Sequence, residues 1–189
     1  MLLISSHELI SQSQQISMKL VSSKAYIVGT TNVNRFHCDL ETSINSQLEV
    51  MTTSHGDTLS LDGLTLVFPI AQFDCGMVLM TQDFRSFLQA DQFPELIIDI
   101  QYMIINRSES LMEKVSIVAD VSIQLSGQLK THQIRRGYVM EMPDDEIRFV
   151  GEDYVRFTDF ELIPPTKFFG TIRVQDELEI AFDVVLGLR

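Results

Sequence analysis

Two long segments of this sequence alternate strictly between apolar and polar residues, and this pattern constrains the fold more than any other feature. The first segment runs over 115–126 and the second over 177–188, and shorter runs at 44–50 and 96–105 repeat the pattern. Successive side chains of a β-strand point to opposite faces, so a period of two with one polar face is typical of antiparallel sheets. The alternation therefore predicts an all-β protein.

Short polar turns separate these strands. The segments SHGD (54–57), MPDDE (142–146) and VQDE (174–177) are compact and contain Gly, Pro or Asp, which are residues that favour tight turns. Such connections join antiparallel neighbours, because a parallel pair needs a much longer crossover. Long strands with one apolar face close most economically into a barrel or a curled sandwich. We therefore predict an antiparallel barrel of about eight strands.

One segment departs from the alternation. In MTQDFRSFLQA (80–90) the apolar residues recur at helical spacing; they are Met80, Phe84, Phe87 and Leu88. Thr81 is a candidate N-cap, and Pro94 ends any helix and restarts an extended chain. The sequence predicts one short helix near 81–90, inserted in the barrel.

The segment VGTTNVNRFHCDL (28–40) mixes a turn with an alternating run. Gly29 to Asn34 has the residues of a turn, because Gly tolerates positive φ and Asn side chains bind nearby backbone groups. The alternate residues Phe36, Cys38 and Leu40 then point to one apolar face. We interpret the segment as a corner between two strands and not as an active site.

The charge balance excludes several classes of partner. The chain has 189 residues, with 26 acidic against 14 basic side chains and a net charge of −12. Such a surface is repelled by phosphate groups, so nucleic acid and anionic bilayers are poor partners. No segment reaches the roughly 18 apolar residues of a membrane span, and the first residues lack the basic and apolar regions of an export signal.

The two cysteines, Cys38 and Cys75, leave two alternatives open. Neither lies in a CxxC or Cys/His spacing that would favour zinc, and each lies on the apolar side of its segment. They are either two buried free thiols or a disulfide formed in an oxidising compartment. On the chain-entropy model, a disulfide that closes a loop of about 38 residues stabilises the fold by roughly 4 kcal/mol.

No constellation of catalytic or metal-binding residues is found in the sequence. The four histidines are scattered, no GxSxG, HExxH or phosphate-binding loop is present, and the acidic clusters at 144–146 and 152–153 are typical of hairpin tips. We predict that the protein is not an enzyme and has no resident cofactor or metal. Apolar and aromatic side chains on the inward faces are instead the candidates for binding a ligand: Phe36, Phe84, Phe87, Ile98, Ile100, Tyr102, Ile117, Val121, Phe182 and Val184.

Four segments resemble the YceI-like family of polyisoprenoid-binding β-barrel proteins. They are SSKAYIVGTTNVNRFHC (22–38), FPIAQFDCGMVLMTQDFRSFLQADQFPELIID (68–99), VSIQLSGQLKTHQI (121–134) and VRFTDFELIPPTKFFGTIRVQDELEIAFDVVL (155–186). The resemblance covers 18–189 and leaves 1–17 as an N-terminal extension. It implies an eight-stranded lipocalin-like barrel that encloses a polyprenyl or quinone-type isoprenoid chain, and export to the periplasm or beyond.

Two functions follow from these observations. The first is the non-catalytic binding or carriage of an isoprenoid lipid in an apolar barrel, with a homodimer left open as the assembly. The alternative is a structural or interaction protein whose barrel is packed solid and which acts through its acidic surface. An internal cavity above roughly 300 Å³ would favour the lipid.

Overall fold

The computed structural model describes residues 12–42, 46–111, 114–167 and 171–188. Its strands are β1 (Gln12–Thr31), β2 (Arg35–Thr42), β3 (Ser46–His55), β4 (Thr58–Asp62), β5 (Thr65–Pro69), β6 (Glu95–Leu111), β7 (Lys114–Leu125), β8 (Gln128–Met142), β9 (Glu146–Arg156), β10 (Thr166–Lys167) and β11 (Ile172–Leu188). Helix α1 spans Val78–Phe87, and two short 3-10 helices span Ile70–Gln72 and Phe157–Phe160.

Eight of these strands form a closed antiparallel ring, as the sequence predicts. The ring runs β1, β3, β4, β6, β7, β8, β9 and β11, and β11 pairs with β1 to close it. Of the remaining strands, β2 pairs with the second half of β1, β5 pairs with β6, and β10 pairs with β11. Each strand of the ring therefore pairs with a ring neighbour on both sides, so the ring has no unpaired edge strand.

The two alternating segments lie in the barrel wall with their apolar residues inward. On β7 the side chains of Ile117, Ala119, Val121 and Ile123 are buried, and on β11 those of Leu178, Phe182, Val184 and Leu186 are buried. The intervening residues of both strands are partly or fully exposed. The prediction of inward and outward faces is confirmed on these strands.

The corner at 28–40 is confirmed, although the turn is shorter than the sequence predicts. β1 continues to Thr31, whose hydroxyl accepts hydrogen bonds from the backbone N–H groups of Val33 and Asn34. Gly29 lies within the strand and has no positive φ. It is needed for space, because a Cβ there would lie 2.2 Å from Cζ of the Phe36 ring.

The helix begins three residues earlier than predicted, at Val78, and its N-cap is Met77. Thr81 is therefore not the N-cap; its buried hydroxyl accepts a hydrogen bond of 2.9 Å from the backbone N–H of Cys75. This bond fixes the loop that enters α1 instead of satisfying the start of the helix. The restart of extended chain after Pro94 is confirmed, since β6 begins at Glu95.

A β-bulge overturns the predicted inward face of β6. The register with β7 shifts between Ile100 and Tyr102, so one extra residue reverses the faces beyond it. Tyr102 is 47% exposed and Ile104 is 40% exposed on the outer surface. Met103 packs against the core instead. The prediction that Tyr102 binds a ligand inside the barrel is therefore wrong.

Cys38 and Cys75 form a disulfide between β2 and the loop before α1. Beside it, Asp39 and Asp74 exchange two backbone hydrogen bonds of 2.8 and 2.9 Å. Both cysteines are buried. The disulfide and the backbone bridge together fasten β2 to the chain that carries the helix, and so they hold this end of the barrel closed.

The division into an extension at 1–17 and a barrel domain at 18–189 stays a prediction. Residues 1–11 lie outside the described part of the chain, and β1 pairs with β3 from Gln12 onward. Over the described ranges, none of the helices has the length and apolar character needed to cross a bilayer.

Candidate ligand cavity

A cavity of about 330 Å³ lies inside the ring, toward the end that carries the β3–β4 and β8–β9 turns. We call it the large cavity. All eight strands of the ring contribute to its wall, together with β5 and the link between β4 and β5. Its lining residues are Ile16, Met18, Thr52, Leu59, Leu61, Leu64, Leu66, Ile100, Met103, Ile105, Val115, Ile117, Val139, Ile147, Phe149, Val184 and Leu186.

The wall of the large cavity is almost wholly apolar. Of the described residues that line it, Thr52 has the one polar side chain, and its hydroxyl donates a hydrogen bond of 3.1 Å to the backbone carbonyl of Gln14. That hydroxyl is therefore already satisfied by the protein. A cavity of this kind is suited to a hydrocarbon and offers no charged group to a polar ligand.

A second, much smaller cavity of about 50 Å³ lies at the opposite end, beneath α1 and the 3-10 helix Phe157–Phe160. We call it the small cavity. Aromatic side chains surround it, including Phe73 and Phe84, whose rings meet edge to face with centroids 5.7 Å apart. The two helices and the disulfide close this end, so the barrel interior is larger at the end away from α1.

Six of the ten predicted ligand-binding residues line one of the two cavities. Ile100, Ile117 and Val184 line the large cavity. Phe84, Ile98 and Phe182 line the small one.

The other four predicted residues line neither cavity. Val121 is buried on β7 between the two, Phe36 covers Gly29, and Phe87 meets the ring of Phe157 with centroids 4.7 Å apart. Tyr102 lies on the outer surface, beyond the bulge.

Most of the large-cavity wall is absent from the predicted set. The largest omission is on β4 and β5, where Leu59, Leu61, Leu64 and Leu66 face inward. The sequence carries a signal for them, since LSLDGLTLVF (59–68) places leucine at alternate positions on each side of Asp62-Gly63. The contribution of Met103 and Ile105 has no such signal, because it depends on the bulge in β6.

Two arginine–carboxylate pairs join neighbouring strands on the outer face of the barrel. Arg148 on β9 donates a hydrogen bond of 2.8 Å from Nε to the carboxylate of Asp183 on β11, and this interaction raises the pKa of the arginine above its usual value. A guanidinium nitrogen of Arg136 lies 3.1 Å from a carboxylate oxygen of Glu152. The guanidinium carbon of Arg136 lies 4.9 Å from the centroid of the Tyr154 ring. Among the described residues no group of three or more His, Cys, Asp or Glu is arranged to hold a metal ion.

Several solved structures share this fold. A polyisoprenoid-binding domain from Saccharophagus degradans, implicated in plant cell wall breakdown, is similar over 92% of this chain and 99% of its own, with a TM-score of 0.61 and 8% sequence identity. BcnA from Burkholderia cenocepacia is similar over 86% of this chain and 95% of its own, with a TM-score of 0.51 and 14% identity.

A mutant of the YceI protein of Campylobacter jejuni is similar over 75% of this chain and 81% of its own, with a TM-score of 0.51 and 12% identity. No protein-family model matches the sequence, and no curated protein is detectably similar to it. The closed ring of eight antiparallel strands, the one α-helix among the described residues and these structural likenesses agree with one another. This chain therefore has the fold of the YceI-like, lipocalin-like β-barrel proteins.

Proposed function

We propose that this protein binds the hydrocarbon chain of an isoprenoid lipid, such as a polyprenyl or quinone-type chain, inside the large cavity without chemical conversion. The observation that carries the proposal is the size and chemistry of that cavity, about 330 Å³ with an almost wholly apolar wall. It exceeds the roughly 300 Å³ at which small-molecule pockets begin. The binding of polyisoprenoid by a domain of the same fold supports the same ligand class here.

Burial alone is a sufficient source of affinity for such a chain. Transfer of a methylene group from water to an apolar site is favourable by about 0.8 kcal/mol, so on the order of ten carbon groups give about 8 kcal/mol before the costs of association. No charged side chain is needed to hold the chain. The absence of polar side chains other than Thr52 among the described lining residues is consistent with this mode of binding.

The cavity weighs against the alternative of a solidly packed structural barrel. Core side chains normally fill an eight-stranded barrel to the density of an organic crystal, leaving few voids larger than water. The inward residues near α1 follow that rule, since Phe68, Ile70 and Phe73 are fully buried. The half of the barrel away from α1 is not filled in this way, because it contains the large cavity.

The disulfide supports an exported protein. Disulfides persist in oxidising compartments such as the periplasm and are rare in the cytosol. The pairing of Cys38 with Cys75 is thus in accord with a periplasmic or secreted location. The assembly state, including a homodimer, stays a prediction.

Extraction of the purified protein with organic solvent, followed by mass spectrometry, tests the proposed function. We expect a lipid with an isoprenoid chain to be recovered in near-stoichiometric amount, and native mass spectrometry to show its mass on the intact protein. Protein that carries no lipid and binds no added prenyl alcohol would contradict the proposal.

A bulky side chain in the wall of the large cavity is expected to weaken ligand binding. Ile105 is half-buried and lines the cavity, whereas its neighbour Ile104 faces outward. Because an indole at position 105 displaces at least two carbon groups of the ligand, Ile105→Trp is expected to weaken geraniol binding by roughly tenfold or more. Isothermal titration calorimetry measures the affinity directly.

Ile104→Trp is the matched control, because it places the same side chain on the same strand outside the barrel. Its affinity for geraniol is expected to equal that of the wild type. Equal loss of affinity in both variants would mean that the alcohol does not bind in the cavity.

A further inference from the structure

We infer that Phe182 sets the length of hydrocarbon chain that the barrel accepts, by separating the large cavity from the small one. The inference rests on the proposed function and adds a chain-length preference to it. The large cavity admits a short chain, or the terminal part of a longer one; Phe149 lines it, and the Phe182 ring lies directly behind Phe149 and lines the small cavity.

The separation between the two cavities is thin. On β6 the inward neighbours Ile98 and Ile100 line different cavities, and on β11 the same holds for Phe182 and Val184. Inward neighbours on one strand are two residues apart, or roughly 6.6 Å. On these two strands no further inward side chain lies between the residues of the two cavities, so the separation is thinnest there.

The Phe182 ring lies at this boundary and contacts two residues of β9. It stacks on Phe149, which lines the large cavity, with ring centroids 5.3 Å apart and an angle of 20° between the ring planes. It also lies against Gly151 of β9, where an added Cβ would be only 2.5 Å from its Cζ. A glycine in the wall thus makes room for the ring, and the stack on Phe149 fixes the position of the ring against β9.

On other strands the boundary contains further buried side chains: on β1, Leu20 and Ser23 lie between Met18 of the large cavity and Ala25 of the small one. Ala119 and Val121 lie on β7 between the residues of the two cavities, and Ile134 lies on β8 within 3.0 Å of the space that a Cβ on Gly151 would occupy. None of the three is longer than Phe182. Truncation of the Phe182 ring is therefore the change that joins the two cavities most directly.

The large cavity by itself holds a short chain. If each carbon group occupies about as much space as a water molecule does in the liquid, roughly 30 Å³, a cavity of about 330 Å³ accepts on the order of ten carbons. This corresponds to about two isoprene units. Further units of a longer lipid must stay outside the barrel while Phe182 is in place.

A series of prenyl alcohols tests the inference: geraniol, farnesol and geranylgeraniol have two, three and four isoprene units. Since the chain contains no Trp, calorimetry is the suitable measurement. In the wild type we expect affinity to change by less than about twofold from geraniol to farnesol. In Phe182→Ala we expect farnesol to bind roughly tenfold or more tightly than geraniol, because two additional buried methylene groups correspond to about that factor.

Phe182→Leu provides a second, milder variant for the case in which Phe182→Ala does not fold. We expect it to shift the preference in the same direction by about threefold, the effect of roughly one further buried methylene group. Phe160→Leu is the matched control, because Phe160 lines the small cavity away from the boundary. It enlarges the small cavity without joining it to the large one and is expected to keep the wild-type length profile.

The outcomes separate the two proposals. Wild-type affinity that rises steeply from geraniol through geranylgeraniol, or folded Phe182 variants with the wild-type profile, would overturn the role of Phe182 and leave the proposed function standing. Failure of the wild type to bind any of the three alcohols would overturn the proposed function and this inference with it.

Discussion

Replacing Cys38 and Cys75 together by alanine is expected to lower the free energy of unfolding by about 4 kcal/mol. The disulfide joins residues separated by 37 positions, and a crosslink of that span restricts the unfolded chain by about this amount on the chain-entropy model. The loss is expected to fall on the end of the barrel that carries α1, because the disulfide and the Asp39–Asp74 bridge fasten β2 there. Urea unfolding followed by far-UV circular dichroism measures the change.

Two comparisons make this prediction sharper. Wild-type protein treated with a reducing agent is expected to unfold at the same urea concentration as the double variant, because both lack the crosslink. Alanine is preferred to serine, since both cysteines are buried and a hydroxyl there would lack a partner. A loss below about 1 kcal/mol would mean that the loop between the cysteines is already ordered in the unfolded chain.

Phe182→Ala is expected to lower the free energy of unfolding by about 3–5 kcal/mol, the usual cost of truncating a buried phenylalanine. The Phe182 side chain is only 2% exposed, and its replacement by alanine removes the stack on the Phe149 ring. Gly151→Ala is expected to cost about 1–3 kcal/mol, because its methyl group enters the space of the Phe182 ring. The same urea measurement applies to both variants.

The double variant tests whether the two residues share this space. With the ring removed, the methyl group at position 151 has room, so Gly151→Ala is expected to cost less than about 1 kcal/mol in the Phe182→Ala background. The two effects are therefore non-additive by roughly 1–2 kcal/mol, as expected for residues in direct contact. Purely additive effects would indicate that the ring does not occupy the space beside Gly151.

The same alternation that predicted the strands gave an incomplete account of the cavity. On β7 and β11 the period of two is regular, and every inward apolar side chain described above lies inside the barrel. On β6 an equally apolar run contains a bulge, and the faces reverse after Ile100. Beyond Gln101 the residues 102–105 (YMII) are apolar on both faces, so no polar residue marks the reversal, and Tyr102 was placed on the wrong side.

The corner at 28–40 and the helix show the same division between local and distant causes. The existence of both follows from short-range patterns, namely the turn residues before Asn34 and the helical spacing of Met80, Phe84 and Phe87. Their bounds depend on distant partners: the hydroxyl of Thr81 binds the loop at Cys75 and does not cap the helix. A glycine is needed at position 29 because the ring of Phe36 occupies the space that a Cβ would take.

The sequence by itself determined that this chain is an antiparallel barrel with one inserted helix, because strand periodicity, turn residues and helical spacing are local properties of the chain. It also determined an interior lined by apolar side chains. Only the tertiary structure decided that Cys38 meets Cys75, that a bulge turns Tyr102 outward, and that the interior contains two cavities of unequal size. Those features depend on which residues of different strands come into contact, and no single segment of the chain contains that information.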